Sequence, residues 1–69
     1  MYVKLHINGQ QTEVDESVQN VEDLLKFFEL HERIVVVEQN GEIVAKEQYS
    51  NQPFHDGDKI EIVHFVGGG

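Results

Sequence analysis

The 69-residue sequence has no cysteine and no tryptophan, one proline and one methionine, and 5 lysines and arginines against 13 aspartates and glutamates. The missing cysteines exclude a disulfide framework, a thiolate metal site and an iron–sulfur cluster. Any sulfur chemistry must therefore borrow its sulfur. The shortage of basic residues leaves a formal charge of −8, which repels a phosphate backbone and an anionic membrane surface, so nucleic acid and lipid are poor partners. A basic protein surface is a better one. No apolar run approaches membrane-spanning length, and Met1-Tyr2-Val3-Lys4 lacks the charged and apolar regions of a secretory signal. The expected compartment is the cytoplasm.

The apolar residues cluster in periodic segments. Val3, Leu5 and Ile7 alternate with Lys4, His6 and Asn8, the period of a strand with one buried face, and Asn8-Gly9 supplies a hairpin turn. A polar edge strand over 10–14 follows, with Thr12 and Val14 inward. Asn20 is placed to cap a helix that begins at Val21, with Glu22 and Asp23 on its first turn. Val21, Leu24, Leu25 and Phe28 then form a stripe at i, i+3, i+4 and i+7, with Phe27 expected to widen it. So short a helix requires a sheet beneath it.

Arg33-Ile34-Val35-Val36-Val37-Glu38 is too short and too β-branched for a helix and reads as a strand with apolar residues on both faces. Asn40-Gly41 marks a turn and 42–45 a short strand. Residues 46–58 are expected to be irregular, anchored by Tyr49 and Phe54, and closed by the turn Asp56-Gly57-Asp58. In the last strand, 59–66, Ile60 and Ile62 share one face while Val63 and Phe65 share the other. The class is α+β, a mixed sheet of four to five strands with one helix packed on one face. One helix covers one face, so Val63 and Phe65, with alternate residues of the Ile34 to Val37 run, are expected on an open apolar face that serves as a protein interface. The competing arrangement folds loop 46–58 over that face.

The four histidines, His6, His31, His55 and His64, show no paired spacing and no ligand cluster, so no metal site is expected. There is no phosphate-cradling glycine loop and no nucleophile with a plausible base, and an enzyme is not expected. The end of the chain is different. Val66-Gly67-Gly68-Gly69 directly follows an apolar strand, and a glycine run is slim enough to thread a narrow channel in another protein. A terminal glycine also leaves its carboxylate uncrowded by a Cβ. The competing reading is a frayed tail. A carboxylate accepts a nucleophile once its oxygen becomes a good leaving group, which ATP-dependent adenylation achieves, and here both ATP site and sulfur must come from other proteins.

Taken together, the Asn8-Gly9 hairpin, Val21-Glu22-Asp23-Leu24-Leu25, the run from Ile34 to Glu38, the Asn40-Gly41 and Asp56-Gly57-Asp58 turns and the ending Ile60-Glu61-Ile62-Val63-His64-Phe65-Val66-Gly67-Gly68-Gly69 resemble the ThiS family, sulfur carrier proteins of thiamin biosynthesis. The resemblance implies a ubiquitin-like β-grasp domain over 1–66, its first and last strands parallel neighbours at the sheet centre, and a flexible glycine tail over 67–69. It implies that Gly69 is adenylated by a ubiquitin-activating-like enzyme using ATP, with no cofactor bound to the carrier itself. Sulfur from a cysteine-derived donor then gives a thiocarboxylate, and thiazole synthase takes the sulfur. Gly67 and Gly68 would lie in the partner's channel, and Val63, Phe65 and Val66 would touch the partner. The paired-glycine end alone identifies only the ubiquitin-like superfamily. The small subunit of molybdopterin synthase, a ubiquitin-like modifier and an interaction module with an inert tail are the alternatives.

Overall fold

The computed structural model describes residues 2–65. Val66, Gly67, Gly68 and Gly69, named above as a partner contact and as the tail, lie outside the described residues. Strands β1 (Tyr2–Ile7) and β2 (Gln10–Asp15) precede helix α1 (Val21–Phe27). Strands β3 (Val35–Gln39) and β4 (Glu42–Ile43), a 3₁₀ helix over Lys46–Asn51 and strand β5 (Lys59–His64) follow. The sheet order is β2-β1-β5-β3-β4. β5 runs parallel to β1 and antiparallel to β3, so the first and last strands are the expected central neighbours.

Both Asn-Gly turns adopt the left-handed backbone that two-residue hairpins require, with φ of 51° and 83° at Asn8 and Gly9 and 53° and 85° at Asn40 and Gly41. The core lies between the sheet and α1: Leu5, Ile7 and Val14 from the hairpin, Val37, Ile60 and Ile62 from the centre. Val21, Leu24 and Leu25 cover them from the helix. Asn20 caps α1 as expected, its side-chain oxygen accepting from the Asp23 amide at 2.8 Å.

Several expectations need correction. Phe27 does not widen the buried stripe; it is 54% exposed and stacks edge-to-face on Phe28, which is itself 38% exposed. At 100° per residue Phe27 points about 110° away from the stripe's centre. The helix also stops one residue before Phe28. The Leu30 amide donates to Leu25 O at 2.7 Å and the Glu29 amide to Lys26 O at 3.0 Å, with Glu29 at φ 60°. This is a Schellman-type stop with glutamate where glycine is usual, and it lets Leu30 pack against the core in place of Phe28. β3 begins at Val35 rather than Arg33, and β4 is two residues long. Val44 leaves that strand to enter the core. The stretch 46–58 is not wholly irregular, since it opens with the 3₁₀ helix. Its anchors Tyr49 and Phe54 pack against the core that α1 covers, and Val63 and Phe65 remain exposed. The loop does not cover the open face.

Candidate functional site

The site is assembled at the end of β5, the strand that leads to residues 66–69. β1 ends at Ile7, opposite Ile60, so from Ile62 onward β5 has lost its parallel neighbour. The side chain of Asn8 replaces it. Its Oδ1 accepts from the Ile62 amide at 2.8 Å and its Nδ2 donates to Ile62 O at 3.2 Å, repeating with one side chain the two-bond pattern of a strand. On the other side β3 stays paired, Val35 with His64, and the Phe65 amide donates to Ile34 O at 3.1 Å. The backbone before Val66 is therefore fixed on both sides to Ile62 and on one side to Phe65.

Val63 and Phe65, both expected on the open face, are each 55% exposed. Val36 stands directly across from Val63, and Ile34, 74% exposed, lies beside Phe65. These four make an apolar patch that abuts the route to the glycines. One row further from that end, Glu38 and Glu61 are paired directly across the strands on the same face. Like charges so placed oppose pairing, and the sequence alone did not reveal them, because the register between β3 and β5 decides which residues face each other.

A second feature hidden in the sequence is the turn before β5. Asp58, expected only to close a turn, is 9% exposed and is the hub of a polar network. Its carboxylate accepts from Gln39 Nε2 at 2.7 Å, the His55 amide at 2.9 Å and Asn40 Nδ2 at 3.1 Å. Burial pushes the Asp58 carboxyl up, but these bonds, together with the His55 ring 3.9 Å away, outweigh it and hold the group below the ordinary carboxylate range. Asn40 Oδ1 also accepts from the Lys59 amide at 2.9 Å. The network ties the β3–β4 turn to the start of β5 and so sets β5 in register. The signal available in sequence was an Asn and an Asp beside glycines at positions 40 and 58, which reads more readily as two separate turns.

Among the described residues no group of three or more His, Asp or Glu side chains is placed to hold a metal ion, and no helix is long and apolar enough to cross a membrane. None of the four histidines belongs to such a group. What the geometry offers is a central strand hydrogen-bonded on both sides up to Ile62 and ending beside an exposed apolar patch.

A five-stranded mixed sheet in the order β2-β1-β5-β3-β4 with one helix on one face is the ubiquitin-like β-grasp class of domain. The ThiS family model matches residues 5–69. A sulfur carrier protein ThiS of Bacillus subtilis is 45% identical over 65 residues, spanning 94% of this chain and 98% of that protein. The crystal structure of a thiamine biosynthesis protein (ThiS) from Geobacter metallireducens superposes with a TM-score of 0.80 at 35% identity, over 97% of this chain and all of that one. A thiazole synthase of Paramagnetospirillum magneticum contains a segment 46% identical over 67 residues, 97% of this chain but 20% of that protein. The chain belongs to the ThiS family and is a small sulfur carrier protein of thiamin biosynthesis rather than a catalyst.

Proposed function

We propose that sulfur is carried on the carboxylate of Gly69. A ubiquitin-activating-like enzyme transfers AMP from ATP to that carboxylate with release of pyrophosphate. Sulfide supplied by a cysteine-derived donor then attacks the acyl adenylate and expels AMP, leaving a thiocarboxylate, from which thiazole synthase takes the sulfur in the cytoplasm. ATP binds the activating enzyme, and the carrier needs no cofactor of its own. Domain 1–66 acts as the handle and 67–69 as a flexible tail, with Gly67 and Gly68 threading the partner's channel. The thiazole synthase partnership is supported by the carrier-like segment within a thiazole synthase chain.

The observation that carries this reading is the apolar patch of Ile34, Val36, Val63 and Phe65 beside a β5 pinned by Asn8 and β3. A partner that docks on the patch receives the following residues, beginning with Val66, from a fixed origin. The Glu38–Glu61 pair makes that docking surface negative at one edge, which matches a basic partner surface.

The test is intact-mass analysis of the protein after incubation with ATP, the activating enzyme and a sulfur donor, beside a variant with one alanine appended after Gly69. The wild type should gain the mass of one sulfur-for-oxygen exchange, and the extended variant should gain nothing. One added residue moves the carboxylate about 3 Å, and a misplacement on the order of 1 Å already costs about a hundredfold in rate. Normal loading of the extended variant, with no trimming back to Gly69, overturns the proposal.

A further inference from the structure

The formal charge of −8 conceals a local reversal. Three of the chain's five basic residues, Lys26, Arg33 and Lys46, line one cleft of about 490 Å³. They come from α1, the connector after it and the start of the 3₁₀ helix. His31 joins them, and the carboxylates on the rim are those of Glu22 and Glu32, so cations outnumber anions. Among the described residues none of the three cations lies within ion-pair distance of a carboxylate. The floor is apolar, formed by Leu25, Val35 and the ring of Tyr49.

The cleft's position gives it a meaning. Ile34 both lines it and belongs to the apolar patch, and Ile34 O accepts from the Phe65 amide. The cleft therefore opens at the end of the sheet where β5 leaves toward the glycines, and a protein that docks on the patch meets the cleft at its border.

We infer that this cleft is a second docking surface, which takes an acidic segment bearing an apolar side chain on the enzyme that activates the tail. The rim matches the segment's carboxylates and the floor its apolar group. A phosphate-bearing small molecule fits less well. Phosphate sites converge several fixed donors on one point, whereas these cations are exposed, sit on three segments and share the cleft with the carboxylates of Glu22 and Glu32. The activating enzyme is the occupant because adenylation requires the residues that follow β5 to be held against ATP, and the cleft borders the start of that route at Ile34 and Phe65. The inference rests on the proposed role of Gly69.

Steady-state ATP–pyrophosphate exchange by the activating enzyme, with the carrier as varied substrate, tests it. In a variant combining Lys26→Glu, Arg33→Glu and Lys46→Glu, KM should rise about tenfold at low salt with kcat within about twofold of wild type, and the difference should shrink as salt screens the contact. Lys59→Glu, which makes the same kind of charge change at the far end of β5, should leave KM within about twofold. Carbodiimide coupling of the wild-type pair should join Lys26 or Lys46 to an aspartate or glutamate of the enzyme. An unchanged KM in the triple variant, an equal rise in Lys59→Glu, or a loss confined to kcat overturns the inference. Should the triple variant fail to fold, absence of both cross-links in the wild-type complex overturns it instead. Failure of the two ideas is distinguishable: wild type that supports no exchange removes the role of Gly69, whereas normal exchange with an indifferent cleft removes only the docking surface.

Discussion

Replacing Asp58 by alanine tests whether the turn before β5 is a structural hub or merely a reversal of the chain. Three N–H groups converge on its carboxylate at 2.7, 2.9 and 3.1 Å. A hydrogen bond to a charged group contributes about 1.5–3 kcal/mol net, but the three share one carboxylate whose own burial is costly, and Gln39 Nε2 keeps a second bond to Pro53 O at 3.0 Å. The expected loss is about 2–4 kcal/mol, against a total stability on the order of 3–10 kcal/mol for a chain of this size. The sign with pH is fixed by the direction of the shift. Because the folded pKa lies below the unfolded value, the folded state binds fewer protons, and the stabilisation is fully present above about pH 4 and is lost as pH falls through the folded pKa. Asp58→Asn keeps the shape but has no charge to titrate. Urea unfolding followed by circular dichroism at pH 7 and pH 3 should show its deficit against wild type shrinking in acid. An Asp58→Ala midpoint equal to that of wild type would refute the hub, and an Asp58→Asn deficit independent of pH would refute the lowered pKa.

Glu29→Gly should stabilise the protein by about 0.5–1 kcal/mol, since it relieves a left-handed residue at the helix stop and sacrifices some unfolded-state entropy; a lower melting temperature would mean that the Glu29 side chain contributes something its backbone strain hides. Asn8→Gly retains the turn's backbone but removes both bonds to Ile62, so hydrogen exchange at the Ile62 amide should accelerate while the Ile60 amide changes less. Equal protection in both proteins would show that β3 alone holds the strand. Phe65→Ala should leave the melting temperature nearly unchanged, because the ring is half exposed, and weaken binding to the activating enzyme by about 2 kcal/mol. A titration with unaltered affinity would remove Phe65 from the docking patch.

The features legible in the sequence were those written in local chemistry. Asn20 caps the helix and Asn8-Gly9 turns the hairpin because each signal lies within a few residues of its effect. The facing of Ile60 and Ile62 against Val63 and Phe65 followed from a strand's period of two. The helix stop at Phe27 was not legible, since the expected glycine is replaced by Glu29 and the apolar stripe runs on to Phe28. Long-range features were equally hidden. Asp58 meets Gln39 nineteen positions away and Asn8 meets Ile62 fifty-four away, so neither link has a local signature. Of the site, the sequence displayed the apolar half, Val63 and Phe65 with alternate residues of the Ile34 to Val37 run. The Glu38–Glu61 pair and the cationic cleft emerge only when register and loop packing bring distant residues together.

The open face explains why so small a domain tolerates features that oppose its own stability. Burying a side chain such as Phe, Ile or Val contributes about 1.5–3 kcal/mol, yet Ile34, Val63 and Phe65 are left in water, and two carboxylates face each other across the central pair of antiparallel strands. A second helix over this face would bury the apolar residues, and neutral side chains at 38 and 61 would remove the repulsion. The helix would also close the approach to the end of β5, and neutral side chains would remove the negative edge beside the patch. The fold instead concentrates its stabilising contacts on the helix side and at the polar hub around Asp58, where they fix β5 without covering it. On the proposed docking, the exposed apolar area and the facing carboxylates are affinity held in reserve, which the partner would recover on binding.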